Sequence, residues 1–273
     1  MAAREPHPEL ITSAANPLVK RVRALADRKQ RRREGAFVVE GAQPVWRAVE
    51  AGWEIDTLLV VPSRLAESNA RLLEQQRRNG TRVVELAEQL AARVSERDAP
   101  PGLLAVVRAR TLPLPAPGPG VVYAALHRVG NPGNLGTIVR TADAAGAAGV
   151  ILVGETADPY APAAVKASMG SLFAMPVARL LDLDAFFDWA AQETVEVVAT
   201  SGYAEQEHWS AGYRTPLAVL LGSEGDGLPD EALQRADRTV RIPMAGTPES
   251  LNLAVAAALM LYEVRRPPGD SGI

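Results

Sequence analysis

The sequence predicts an α/β protein in two parts, the second of them a doubly wound parallel sheet, from three observations on its 273 residues. Apolar runs alternate with helical spacings along most of the chain, the order expected of a sheet covered by helices. In the second half the runs Val121–Leu126, Val150–Val153, Val195–Ala199 and Leu217–Leu221 lack period-two alternation, which suits strands buried on both faces. Between the halves, residues 111–120 carry proline at every second position from Pro113 to Pro119, a pattern that favours extended polyproline geometry and marks a linker. The expected divisions are 1–108, a linker at 109–120, and 121–273.

Taken in order, Asn16-Pro17 starts a helix, with asparagine as cap and proline in the first turn. Leu18, Val22 and Leu25 then share a face, while Lys20 and Arg23 point elsewhere. Strands follow at Ala36–Val39, Thr57–Val61, Arg82–Val84 and Leu103–Val107, with helices around Pro44–Ala51 and Leu65–Arg78. Trp46 and Trp53, near the second helix, are expected in the core. Beyond the four long runs of the second part, a shorter one lies at Thr239–Ile242, and a final helix runs from about Leu251 to Arg266. Its alanines, among them Ala254, Ala256, Ala257 and Ala258, permit close packing, either within one subunit or against a second.

Composition excludes several classes. Without cysteine, disulfides and thiolate metal sites are ruled out, and His7, His127 and His208 show no ligand spacing, so no metal is expected. Met1 to Leu10 hold prolines and charges but no apolar run, which argues against a signal peptide or membrane span. A soluble, cytoplasmic protein is the expectation. The net charge of −3 is unevenly spread: 18 Lys+Arg against 14 Asp+Glu up to Arg108, then 11 against 18. Much of the positive excess is one block, Lys20, Arg21, Arg23, Arg28, Lys29, Arg31, Arg32 and Arg33, opposed only by Asp27. Such a block suits a polyanion such as RNA, through counterion release, and suits a solvated helix face equally.

Three segments of the second part concentrate glycine, proline and polar side chains after apolar runs: Asn131-Pro-Gly-Asn-Leu-Gly136 running on to Arg140, Leu221-Gly-Ser-Glu-Gly-Asp-Gly-Leu228, and Ile242-Pro-Met-Ala-Gly-Thr-Pro-Glu-Ser-Leu-Asn252. Loops after parallel strands form one ligand-binding edge. In the first, Asn134 is placed to cap a helix whose buried stripe is Leu135, Ile138, Val139 and Ala142; Arg140 lies off that stripe and leans back toward the loop. A guanidinium there can fork onto a phosphate. In the second, Gly222, Gly225 and Gly227 allow close backbone approach, and Glu224 supplies a carboxylate. In the third, Pro243 and Pro248 stiffen the loop, and Ser250 is the expected helix cap. The dinucleotide-binding Gly-x-Gly-x-x-Gly, a Walker lysine loop and the Gly-x-Ser-x-Gly frame of serine hydrolases are all missing, which disfavours those classes.

In order and spacing the three segments resemble the motifs of the SpoU (TrmH) family of RNA ribose 2′-O-methyltransferases, over roughly the last half of the chain. The N-terminal stretches Ile11-Thr-Ser-Ala-Ala-Asn-Pro-Leu-Val-Lys20 and Arg32-Arg-Glu-Gly-Ala-Phe-Val-Val-Glu-Gly41 also resemble that family's ribosomal-protein-like substrate-binding domain. The resemblance implies a trefoil-knotted C-terminal domain, S-adenosylmethionine as cofactor, and a homodimer formed through the knotted domain. It further implies an active-site set of Asn134, Arg140, Glu224, Ser250 and Asn252. Cofactor contacts are implied at Gly222, Ile242, Met244 and Leu251, with Thr200 as a further candidate; RNA contacts are expected, from the charge of the basic block, at Lys20, Arg28, Arg31, Arg32 and Arg33. In Lys166-Ala-Ser-Met-Gly170, Met169 stands where some relatives carry arginine, leaving Lys166 as the cation there. The function so implied is methyl transfer to a ribose 2′-hydroxyl in ribosomal RNA, of the large subunit by preference. The alternatives are a transfer-RNA substrate and a catalytically silent RNA-binding protein of the same fold.

Overall fold

Residues 9–95 and 99–266 are described by a computed structural model. Internal contacts divide the chain into two units: one runs to Arg110 and takes in Tyr160–Phe173, the other holds Thr111–Pro159 and the chain from Ala174 onward.

The first unit comprises β1 (Glu9–Ile11), α1 (Pro17–Ala24), α2 (Arg28–Glu34), β2 (Ala36–Glu40), α3 (Ala42–Glu50), β3 (Ile55–Val60), α4 (Ala70–Arg78), β4 (Arg82–Leu86), α5 (Glu88–Val94) and β5 (Leu103–Arg108). Asn16 caps α1, its side chain accepting from the Leu18 amide at 2.8 Å. The basic stretch is two helices rather than one, because Asp27 starts a second by accepting from the Gln30 amide. Five strands form a sheet in the order β1-β4-β3-β5-β2, with β5 antiparallel to both neighbours and the other pairs parallel. One core joins Leu18, Val22 and Leu25 of α1 to Val84, Leu86, Leu90, Leu104 and Val106. A second, aromatic cluster joins Phe37, Trp53, Tyr160 and Phe173, and the Trp53 indole donates to the Phe173 carbonyl at 2.9 Å. Each fully buried ring contributes on the order of 1.5–3 kcal/mol, so this cluster accounts for residues 160–173 folding with a unit they follow by fifty residues in sequence.

The second unit contains β6 (Val122–His127), α6 (Pro132–Ala144) and β7 (Gly149–Val153). Next in the chain comes α7 (Pro162–Ser168), the helix that packs in the first unit. The second unit then continues with β8 (Val177–Leu180), α8 (Leu183–Gln192), β9 (Glu196–Thr200), β10 (Gln206–Glu207), β11 (Leu217–Leu221), α9 (Asp230–Arg235), β12 (Arg238–Arg241) and α10 (Leu253–Val264). Its seven strands are all parallel, in the order β10-β12-β9-β11-β6-β7-β8. Strands β6, β7 and β11 are buried along their whole length. From β6 the chain winds outward through β7 to β8, then crosses to β9 on the other side, so the strand order reverses at β6 and β11. Helix α10 returns to that centre and packs on α6, β6 and β11, the place to which a knotted chain end must come back. This is a doubly wound α/β fold.

The proline-rich segment is not a free spacer. Leu114 packs into the core around Tyr123, and the Tyr123 hydroxyl donates to the Pro115 carbonyl. A Cβ on Gly149 would lie 2.4 Å from Leu114 Cδ2, so the Leu114 side chain packs directly over the glycine that starts β7. Sequence reasoning missed β1, β8 and β10, which have three, four and two residues, too few to show a period. It began α4 too early, since Pro62–Arg64 and Glu67–Asn69 form separate single turns. Among the described residues no helix is long and apolar enough to cross a membrane.

Candidate active site

At the point where strand order reverses, the loops after β6 and β11 lie side by side, the expected position of a ligand cleft in an open parallel sheet. Asn131, not Asn134, caps α6: its side-chain oxygen accepts from the amides of Gly133 at 2.8 Å and Asn134 at 3.1 Å. Pro132 occupies the first helical position, where a missing N–H costs nothing. The Asn131-Pro132 pair repeats Asn16-Pro17, the signal that places the cap correctly. Released from capping, the Asn134 side chain faces the neighbouring loops.

There it is the middle member of a hydrogen-bonded chain. The Asn134 amide nitrogen donates to Glu224 Oε1 at 3.1 Å, and its oxygen accepts from Asn252 Nδ2 at 3.1 Å. Glu224 also accepts from the Gly130 and Asn131 backbone amides, each at 3.2 Å. Asn252 is the cap of α10, its oxygen accepting from the Ala254 amide at 2.9 Å, so the capping role expected of Ser250 belongs to Asn252. Three loops distant in sequence are thus joined through two asparagines and a carboxylate. Burial alone would raise the Glu224 pKa, but the bonds from Asn134, Gly130 and Asn131 outweigh it and hold the carboxyl below the usual carboxylate range. With the folded pKa depressed, this linkage is complete at neutral pH and is lost only as pH falls through that lowered value.

The other expected residues are placed as follows. Arg140 is exposed on α6, off the buried stripe of Leu135, Gly136, Ile138, Val139 and Ala142, and makes no ion pair or side-chain hydrogen bond among the described residues. Ser250 is exposed two residues before Asn252, while Ile242 and Leu251 are half-buried and Met244 is exposed. Thr200, at the end of β9 between the loops of β11 and β12, spends its hydroxyl on the Leu220 carbonyl at 3.2 Å. Gly222 has a reason of its own: a Cβ there would sit 2.0 Å from the Gly227 carbonyl carbon. The loop folds back on itself through paired bonds between Ser223 and Gly227, at 3.1 and 3.2 Å. Gly227 takes the left-handed conformation at φ +68°, whereas Gly225 has open space and an ordinary φ, so it is not required for close approach.

In the first unit Lys20, Arg28, Arg32 and Arg33 are exposed. Arg31 is not available to a partner: it is 6% exposed and its guanidinium donates to the Leu25 and Ala26 carbonyls at 2.9 and 2.6 Å, closing the end of α1. Arg21 is likewise held by Asp56 and Glu34. Among the described residues no group of His, Asp and Glu is arranged to hold a metal ion.

Comparison with known proteins gives this edge a family. Residues 121–262 match the SpoU rRNA Methylase family, and residues 16–105 match the MRM3-like substrate binding domain. A 23S rRNA (uridine(2479)-2′-O)-methyltransferase of Streptomyces viridochromogenes is 36% identical over 253 residues, 89% of this chain and 86% of the relative. The 23S rRNA (guanosine(2553)-2′-O)-methyltransferase RlmP of Bacillus subtilis is 30% identical over 93% of this chain and 98% of its own. An AdoMet-bound rRNA methyltransferase from Sinorhizobium meliloti superimposes with a TM-score of 0.87 at 40% identity, covering 94% of this chain and 97% of that one. With two motif-bearing loops joined through Asn134 and Glu224, and with matches that span both units, the chain belongs to the SpoU rRNA methylase family.

Proposed function

We propose that this chain transfers a methyl group from S-adenosylmethionine to a ribose 2′-hydroxyl of 23S ribosomal RNA, acting in the cytoplasm. The observation that carries the reading is the chain Glu224–Asn134–Asn252, which builds one polar edge from three loops with the uncommitted guanidinium of Arg140 on the adjoining helix. The site suits the cofactor: Ile242 and Leu251 offer half-buried apolar surface, and the surrounding loops offer backbone amides and carbonyls. When bound, S-adenosylmethionine supplies an electrophilic methyl group on its sulfonium. Arg140, a permanent cation with donors only, clamps the phosphate beside the target ribose and so aligns the 2′-oxygen. Glu224 and Asn134 hold the loop at the start of α6 in register with the loop of β11. Transfer of tritiated methyl from S-adenosylmethionine to separated RNA fractions tests the reading: label should enter 23S RNA, and label confined to transfer RNA would overturn it.

The basic face of α1 and α2 supplies affinity for the RNA. Replacing Lys20, Arg28, Arg32 and Arg33 together by glutamine should lower the slope of log affinity against log salt by about 0.7–0.9 for each phosphate that is no longer neutralised. S-adenosylmethionine binding should not change. Arg31 must be kept, because its loss would uncap α1. Identical slopes for the two proteins would assign RNA binding to another surface.

A second copy of the chain covers α10. Val255, Leu259 and Tyr262 lie at helical spacing on one face and are 48%, 42% and 57% exposed. Leu259→Glu should shift the sedimentation coefficient from dimer to monomer; a dimer that survives the substitution contradicts this interface.

A further inference from the structure

The chain turns out of β6 at Arg128, two residues before Gly130 donates to Glu224. Arg128 has φ +54°, the left-handed region that disfavours any residue with a Cβ. Bonds on each side pin it there: its own amide donates to the Val153 carbonyl at 3.0 Å, and the Val129 carbonyl accepts from Ala157 at 2.7 Å. Glycine would adopt this conformation without strain, so what arginine adds here is its side chain. The stem of that side chain runs across the end of β7, since a Cβ on Gly154 would lie 3.5 Å from Arg128 Cγ and 3.9 Å from the Leu181 carbonyl.

The guanidinium itself is uncommitted. Among the described residues of the second unit, Arg179, Arg235, Arg238, Arg241, Arg265 and Arg266 all bond to carbonyls, a hydroxyl or carboxylates. Arg128 and Arg140 are exposed and form no side-chain hydrogen bond or ion pair among those residues; Arg214, the other arginine without one, precedes the amino end of β11, at the opposite edge of the sheet. In a part of the chain with a marked acidic excess, two free cations, one where the chain leaves β6 and one on the helix α6 that follows, add local attraction for a polyanion.

We propose that Arg128 is a second RNA-binding arginine of this edge, holding a backbone phosphate of the strand that carries the target ribose. The assignment rests on the methyltransferase reading above. Its side-chain role separates from its backbone role in Arg128→Gly, which relieves the left-handed strain and removes only the guanidinium. That variant should melt no lower than the parent, bind S-adenosylmethionine with unchanged affinity, and keep kcat at saturating RNA. Its KM for 23S RNA should rise about tenfold, the factor expected for one charge-assisted contact. The slope of log affinity against log salt should fall by about 0.7–0.9, a change that a structural role for Arg128 would not produce. Arg128→Lys should restore the slope and part of the affinity. A parent that methylates 23S RNA beside an Arg128→Gly variant with the same KM and slope overturns this assignment alone; a parent that methylates no RNA overturns the functional reading with it.

Discussion

Arg140→Ala is expected to abolish efficient methyl transfer, lowering the single-turnover rate by about a hundredfold or more, because the 2′-oxygen is no longer held in line once the phosphate clamp is gone. Fold should be unaffected. Arg140 is exposed on the thirteen-residue helix α6, has no partner among the described residues, and alanine is the best helix former. Cofactor affinity should also hold, because the half-buried Ile242 and Leu251 and the β11 loop lie on other segments. Rates measured with saturating S-adenosylmethionine and RNA, beside melting curves and cofactor titrations, check all three parts. A purified variant that turns over at nearly the parental rate would show that Arg140 is a surface residue and nothing more.

Gly222→Val is expected to eliminate both cofactor binding and activity. The valine Cβ would lie 2.0 Å from the Gly227 carbonyl carbon, 2.2 Å from its oxygen and 2.4 Å from the Leu228 nitrogen, all backbone atoms that no rotamer change can move aside. Relief requires opening the Ser223–Gly227 pairing, which displaces Glu224 from the Gly130 and Asn131 amides. Overpacking of this kind costs about 1–3 kcal/mol, enough to undo a surface loop while the buried strand β11 holds. Gly225→Ala is the control, since its Cβ would meet open space at an ordinary φ and binding should stay within a factor of about two. Equal cofactor titrations for Gly222→Val and the parent would contradict this account of the loop.

Much of the second unit was legible because a parallel sheet buried on both faces leaves uninterrupted apolar runs: β6, β7, β9 and β11 lie where those runs are. The same physics hides β8 and β10, short edge strands that are only partly buried. Asn134, Glu224 and Asn252 could be placed on one edge from their positions after strands, but the bonds joining them depend on the spatial order of β6 and β11, which no local pattern encodes. Two assignments went astray for one reason, that composition does not say which way a side chain turns. Arg31 sits in a run of arginines and yet is buried against carbonyls, and the cap of α6 falls at Asn131 rather than three residues later. Arg128 carried no sequence signal at all: its left-handed backbone is visible only in the structure.

The central claim is that this edge methylates a ribose 2′-oxygen, and the most direct test is to find where the methyl group goes. Unmodified 23S RNA incubated with the protein and isotopically labelled S-adenosylmethionine, digested to nucleosides and resolved by mass spectrometry, should yield one 2′-O-methylated nucleoside with the label on the sugar fragment. The same digest after incubation with Arg140→Ala should lack it. Label on a base fragment, or no label from a protein shown by calorimetry to bind the cofactor, would contradict the assignment.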